Sequence, residues 1–376
     1  MDNNIRNNTL GLNSYILLLL VFLPSIPIIK ISGLYQPLRL DFILMAIHST
    51  IFLLEIFHRK QISKTLLVFF IVGLFYIVNS RSYLVGSIQL LGYLSFFASF
   101  RVGFISYKNH MSERSLFLSL LYFVIYFTLI IHILGLFGLD LFSINVGSEN
   151  YNLLGRYGTF GMPFKFGLFL ILLTFLISGK IIKSNILIFL LIAVGILSSD
   201  SRISLACLAL VLFFINSGSF YSLLFLSPIA LLIGSPKMLT LFTSAQSIGD
   251  DGSLLMRIVN FQNYLDWLNA YNFTLGQGAL AFLEFGIAYG QPGPLDILSI
   301  RLFSEFGIPT TIIAFIMFVR FLYKIFNLKF FIAFMLFFLA YSFFNEGVIA
   351  LRTGNFFWFV LGIFYSKYEN EKSINI

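Results

Sequence analysis

Residues 308–345 read IPTTIIAFIMFVRFLYKIFNLKFFIAFMLFFLAYSFFN. Two apolar runs, 308–326 and 329–345, are separated by only two residues, and Arg320, Lys324 and Lys329 gather around that junction. A helix needs about 20 mostly apolar residues to cross a bilayer. Two such runs back to back, with the positive charge at their shared turn, describe a pair of membrane helices joined on the cytoplasmic side. The rest of the chain repeats the pattern. Apolar runs lie near 13–33, 40–57, 65–80, 82–100, 116–138, 162–178, 185–199, 202–216, 219–234 and 354–366. The sequence predicts an all-α polytopic membrane protein of about twelve transmembrane helices.

Composition agrees. The 376 residues are 59% hydrophobic and only 11% charged, with a mean hydropathy of +0.93. A soluble domain carries about a quarter charged residues; this chain has too few to coat a surface in water. Lipid requires no such coat. The net charge of +8 comes from basic residues scattered between apolar runs, which excludes a nucleic-acid patch. The one cysteine, Cys207, excludes an intrachain disulfide. The first apolar run lacks a small-x-small cleavage site and reads as a retained helix.

Orientation follows from Lys and Arg. With the N-terminus inside, the inner segments hold Arg59, Lys60 and Lys64; Arg101, Lys108 and Arg114; Lys180 and Lys183; Arg320, Lys324 and Lys329; and Lys367 and Lys372. These are the most basic short connections, so both termini are expected in the cytoplasm. The whole chain, 1–376, then forms one transmembrane domain, and 235–295 becomes a long, partly helical periplasmic loop within it. Ser253 can cap a helix to about Tyr271. Leu254, Ile258, Phe261, Leu265 and Leu268 share one face of that helix. Tyr264, among the residues opposite, is a candidate contact for sugar or an interfacial anchor.

The outer side carries arginines: Arg39, Arg81, Arg156, Arg202, Arg257, Arg301 and Arg352. A guanidinium is a planar fork of donors that matches phosphate oxygens. Several at one membrane face suit a lipid-linked diphosphate, although each could also pair with a nearby acid or reach a headgroup. Asp296 and Glu305 flank the start of the 308–326 helix, and an acid at a low-dielectric boundary is a candidate for proton transfer. No Walker loop, dinucleotide fingerprint or His/Cys cluster with metal spacing occurs, so no metal site and no cofactor are expected.

Four local features give a family resemblance. Ser199-Asp200-Ser201-Arg202 opens a helix. Gly155-Arg156-Tyr157-Gly158-Thr159-Phe160-Gly161-Met162-Pro163 precedes another, with ten residues between Arg156 and Gly167. Arg257 leads the amphipathic helix that ends at Gly276-Gln277-Gly278. Asp296 is followed nine residues later by Glu305-Phe306-Gly307-Ile308. In this order, with the long outer loop, the chain resembles the O-antigen polymerase (Wzy-type) members of the O-antigen polymerase and ligase superfamily of membrane glycosyltransferases. The resemblance covers roughly 150–325. Ligase members place a His where this chain has Asp296, a departure that polymerases tolerate.

The resemblance implies polysaccharide synthesis at the outer face of a bacterial inner membrane. The substrate would be an oligosaccharide repeat unit on undecaprenyl diphosphate, and the family admits a chain-length regulator as partner; no nucleic acid is implied. Arg156, Arg202, Arg257, Arg301 and Arg352 would bind the diphosphate. Asp296 is the first choice of general base and Glu305 the second. Their nine-residue spacing puts them on different faces of a regular helix, so Glu305 is better placed to orient Arg301 at i,i+4. A flippase or other transporter, a ligase, and a receptor or structural membrane protein are the alternative readings.

Overall fold

The computed structural model describes residues 2–23, 26–29, 38–58, 64–80, 82–108, 112–136, 142–146, 149–154, 163–182, 202–215, 262–267, 274–279, 298–344 and 348–374, with isolated positions at 188, 192, 195, 196, 259 and 281. The described part is mostly helical. In chain order the helices are α1 (Asp2–Phe22), α2 (Leu40–His58), α3 (Lys64–Asn79), α4 (Tyr83–Lys108), α5 (Ser112–Leu136), α6 (Pro163–Ser178), α7 (Arg202–Ile215), α8 (Leu298–Phe306), α9 (Ile308–Ile325), α10 (Leu328–Phe344) and α11 (Leu351–Ile374).

Three helical stretches, Leu40–His58, Tyr83–Tyr107 and Ile308–Ile325, are long and apolar enough to cross a membrane. Six shorter apolar stretches lie at Gly11–Phe22, Leu66–Asn79, Leu121–Gly135, Lys165–Ser178, Ser204–Ile215 and Leu328–Ser342. The expected run 219–234 lies outside the described residues, and of 185–199 only four helical positions are described. The expected span 13–33 is corrected. Its helix stops at Phe22, and the chain turns into a strand at Pro27–Ile29. Pro24 and Pro27 supply the reason, since proline has no N–H to continue a helix ladder and its ring clashes with the preceding turn.

Two short hairpins accompany the helices. Strand β1 (Pro27–Ile29) pairs antiparallel with β2 (Leu38–Arg39), and β3 (Phe142–Val146) with β4 (Glu149–Leu154). The β3 sequence Phe-Ser-Ile-Asn-Val alternates apolar and polar at period two, which is a strand pattern and not a helical one.

Packing is built around α6. Every residue from Phe166 to Leu176 of this helix is buried, as expected of a helix that is apolar all round and sits at the centre. By contrast, α9 exposes Ile312, Ile313, Ile316 and Met317, the outward apolar surface that lipid accepts.

The most intimate contact joins α4 and α11, which run parallel although far apart in sequence. A Cβ on Gly103 would strike the carbonyl oxygen of Phe359, and one on Gly362 would strike that of Phe100. Each glycine lets the other helix's backbone come to its surface, the small-residue packing that drives helix association in lipid. Near the N-terminal end of α11, Phe22 of α1 packs edge-on against Phe356, with ring centroids 6.0 Å apart.

Candidate functional site

Helix α8 is nine residues long and lies outside the spans. Its buried side holds Glu305, whose side chain is 0% exposed. Three donors surround the carboxylate. Arg301 Nε donates to Oε1 at 3.2 Å. The Tyr93 hydroxyl of α4 donates to Oε2 at 2.7 Å. The Tyr76 hydroxyl of α3 lies 3.2 Å from Oε2 and also bonds Gln89 Oε1. Phe306 closes the site, stacked on Tyr76 at 4.8 Å and edge-on to Tyr93 at 5.5 Å. Burial raises the Glu305 carboxyl above its ordinary range; Arg301 and the two tyrosine hydroxyls oppose that rise.

Two of the four motifs meet here. The N–H of Gln277 donates to the Ser304 carbonyl at 2.8 Å, and that of Gly278 to the Glu305 carbonyl at 3.1 Å. The segment 274–279 thus caps carbonyls at the end of α8 that have no partner within the helix. It is also tied to α3, because Ala279 N–H donates to Ser80 Oγ at 2.8 Å. Gly276 and Gly307 have φ of 70° and 78°. A Cβ on Gly276 would meet the Glu305 carbonyl oxygen, and one on Gly307 that of Thr274. Left-handed backbone costs an L-residue about 1–2 kcal/mol before any clash. Gly276→Ala is therefore expected to lower stability by at least that amount and to raise the rate of proteolytic cleavage in 274–279, read by limited digestion in detergent.

The structure places the expected residues unevenly. Arg301 and Glu305 are together, in the i,i+4 pairing that their spacing allows. Arg156, Arg257 and Asp296 lie outside the described residues, and of Arg202 only the backbone, at the start of α7, is described. Arg352 is buried at the start of α11, where its Nη2 donates to the Val21 carbonyl at 3.1 Å. Its charged neighbours are Asp41 and Arg39, themselves an ion pair at 3.1 Å. Because α4 and α11 run parallel, this group and the Glu305 cluster sit at the same end of the bundle. Tyr264 is 1% exposed and stacks on Phe303 of α8 at 6.4 Å. It faces the protein and holds the helical 262–267 segment on α8, so its ring is not offered to solvent as a sugar platform. Burial raises its hydroxyl pKa.

Sequence reasoning missed Tyr76 and Tyr93, which are uncharged and reach Glu305 from helices more than 200 residues away, and Gln89, which accepts from the Tyr76 hydroxyl. It also missed a polar chain through the bundle. His48 of α2 bonds Asn13 of α1 through Nδ1 and Ser99 of α4 through Nε2 at 3.1 Å. Ser99 in turn meets Asn355 of α11, and Asn355 Nδ2 donates to Ser95 Oγ at 3.0 Å. The available signal was a heptad: Asp41, His48 and Glu55 recur every seven residues in an otherwise apolar helix and share its buried face. Among the described residues no group of His, Cys, Asp and Glu could hold a metal ion. No family model, curated protein or solved structure matches the chain.

Proposed function

We propose that this protein is an inner-membrane polysaccharide polymerase of the O-antigen type, with about twelve spans and both termini in the cytoplasm. It joins repeat units carried on undecaprenyl diphosphate at the outer face. The observation that carries this reading is the Arg301–Glu305 cluster, built where the Gly276-Gln277-Gly278 and Glu305-Phe306-Gly307 motifs interlock, at the bundle end that also holds Arg39 and Arg352.

In the reaction, a hydroxyl oxygen of one repeat unit attacks the anomeric carbon of the growing chain. A new glycosidic bond forms, the bond from that carbon to the diphosphate oxygen breaks, and the lipid diphosphate leaves with the electron pair. Negative charge grows on the leaving group, so fixed cationic donors lower the barrier. Arg301 is one such donor, oriented by Glu305 through Nε. Both Glu305 oxygens are already occupied by donors, which leaves it the orienting role. The hydroxyl proton goes to a separate base, assigned here to Asp296.

Deleting the gene is expected to collapse the surface glycan ladder to a single repeat unit on gels. Wild type restores the ladder, and Arg301→Ala at equal protein level does not. An unchanged ladder in the deletion strain rejects the polymerase reading. A second reading, a glycan transporter, is favoured by the polar His48 chain inside the bundle, since buried polar groups in membrane helices mark transport pathways. Loss of even the single attached unit would select it.

A further inference from the structure

The donors and acceptors around His48 form a closed inventory. Asn355 Nδ2 donates to Ser95 Oγ and to the Leu351 carbonyl, so its Oδ1 is left to accept from Ser99. The single Ser99 hydroxyl proton is thereby committed to Asn355. Ser99 Oγ can then only accept from His48, which puts a proton on Nε2. The other nitrogen, Nδ1, faces Asn13. An asparagine amide offers an oxygen by one orientation and an N–H by the other. A neutral ring needs the N–H; a charged ring needs the oxygen, and it is Asn13 Oδ1 that faces the ring here.

We propose that His48 is an intramembrane proton-binding site, and that its two charge states require opposite orientations of the Asn13 amide on α1. One proton from water adds to the Nδ1 lone pair, no covalent bond of the protein breaks, and the Asn13 side chain turns end for end.

The neighbouring charges are balanced locally. On α2, Asp41 and Glu55 lie two turns away on either side, about 10 Å along the axis. Asp41 is paired with Arg39, and Glu55 with Arg101 of α4 at 3.2 Å. On α4, Tyr93 is held by Glu305. On α11, Arg352 is bonded to Val21. Over 11–22, α1 carries no charged side chain.

This inference stands independently of the polymerase reading, and its test uses no glycan. The full chain, with ring-15N histidine and His58, His110 and His132 replaced by Gln, is reconstituted in phosphatidylcholine vesicles and followed by solid-state NMR. The expected result is one protonated and one bare ring nitrogen at about pH 8 and two protonated nitrogens at about pH 2. Asn13→Asp, which fixes an oxygen against Nδ1, is expected to raise the midpoint by at least one pH unit. Should the triple variant fail to reconstitute, the difference between wild type and H48Q supplies the same signals. A wild-type ring that keeps a single proton throughout, or a midpoint that N13D leaves in place, overturns the proposal.

Discussion

Glu305→Ala is expected to destabilise the protein by about 3–5 kcal/mol, the usual consequence of removing one partner from a buried ion pair. The loss is large because three donors converge on the carboxylate. Without it the Arg301 guanidinium, 13% exposed, keeps its charge with no counter-ion, and the Tyr76 and Tyr93 hydroxyls lose an acceptor. The unfolding midpoint in detergent measures the effect. The double variant Arg301→Met, Glu305→Leu is expected to recover much of it, because replacing both partners by apolar side chains leaves no orphaned charge. If Arg301 acts on the substrate, that stable double variant still makes no ladder. A double variant that both folds and polymerises would remove Arg301 from the reaction.

Glu305 also gives stability a pH slope. Its carboxyl titrates above the ordinary 4.5 in the native protein, chiefly through burial. The native state therefore holds this proton to higher pH than the unfolded chain does. Its contribution is full below about pH 4.5 and falls as pH rises through the native value. Glu305→Gln is expected to remove that slope, seen by comparing unfolding midpoints across this range.

Gly362→Leu is expected to leave no folded protein. The carbonyl oxygen of Phe100 stands where the new Cβ must go. Backbone cannot rotate away as a side chain can, so α4 and α11 must separate. Overpacking alone costs about 1–3 kcal/mol, and separation also breaks the Ser99–Asn355 and Asn355–Ser95 bonds between the same helices. The readout is protein level in membranes and monodispersity on size exclusion. Gly11→Leu is the control, because nothing lies within 4 Å of its Cβ position.

The sequence made much of this fold legible, for one physical reason: lipid demands long apolar runs, and those are visible without any partner. Helices α2, α3, α6, α7, α9 and α10 begin and end close to their apolar runs, whereas α4 continues eight residues past its run, to Lys108. The hairpin at β3 and β4 was equally visible in its alternation but stood between stronger helical signals. In the site, Arg301 and Glu305 were legible because four residues is a local spacing on a helix. Tyr76 and Tyr93 were not. Tyr76 sits near a helix end, where tyrosine is commonplace in a membrane protein, Tyr93 lies in the body of α4, and only the three-dimensional arrangement makes these two meet one carboxylate.

The reciprocal glycine seam between α4 and α11 has a consequence for biogenesis. A ribosome releases α4 some 250 residues before α11, on the numbering of the chain. Throughout that interval Gly103 lacks the Phe359 backbone against it, and Ser95 and Ser99 lack Asn355. The first half must wait in the bilayer, held by α1, α2 and α3 or by an insertion chaperone, until the last helix arrives. A premature stop anywhere before residue 351 would leave the seam open, and such products should be cleared by membrane proteases even though most of the helices have already been made.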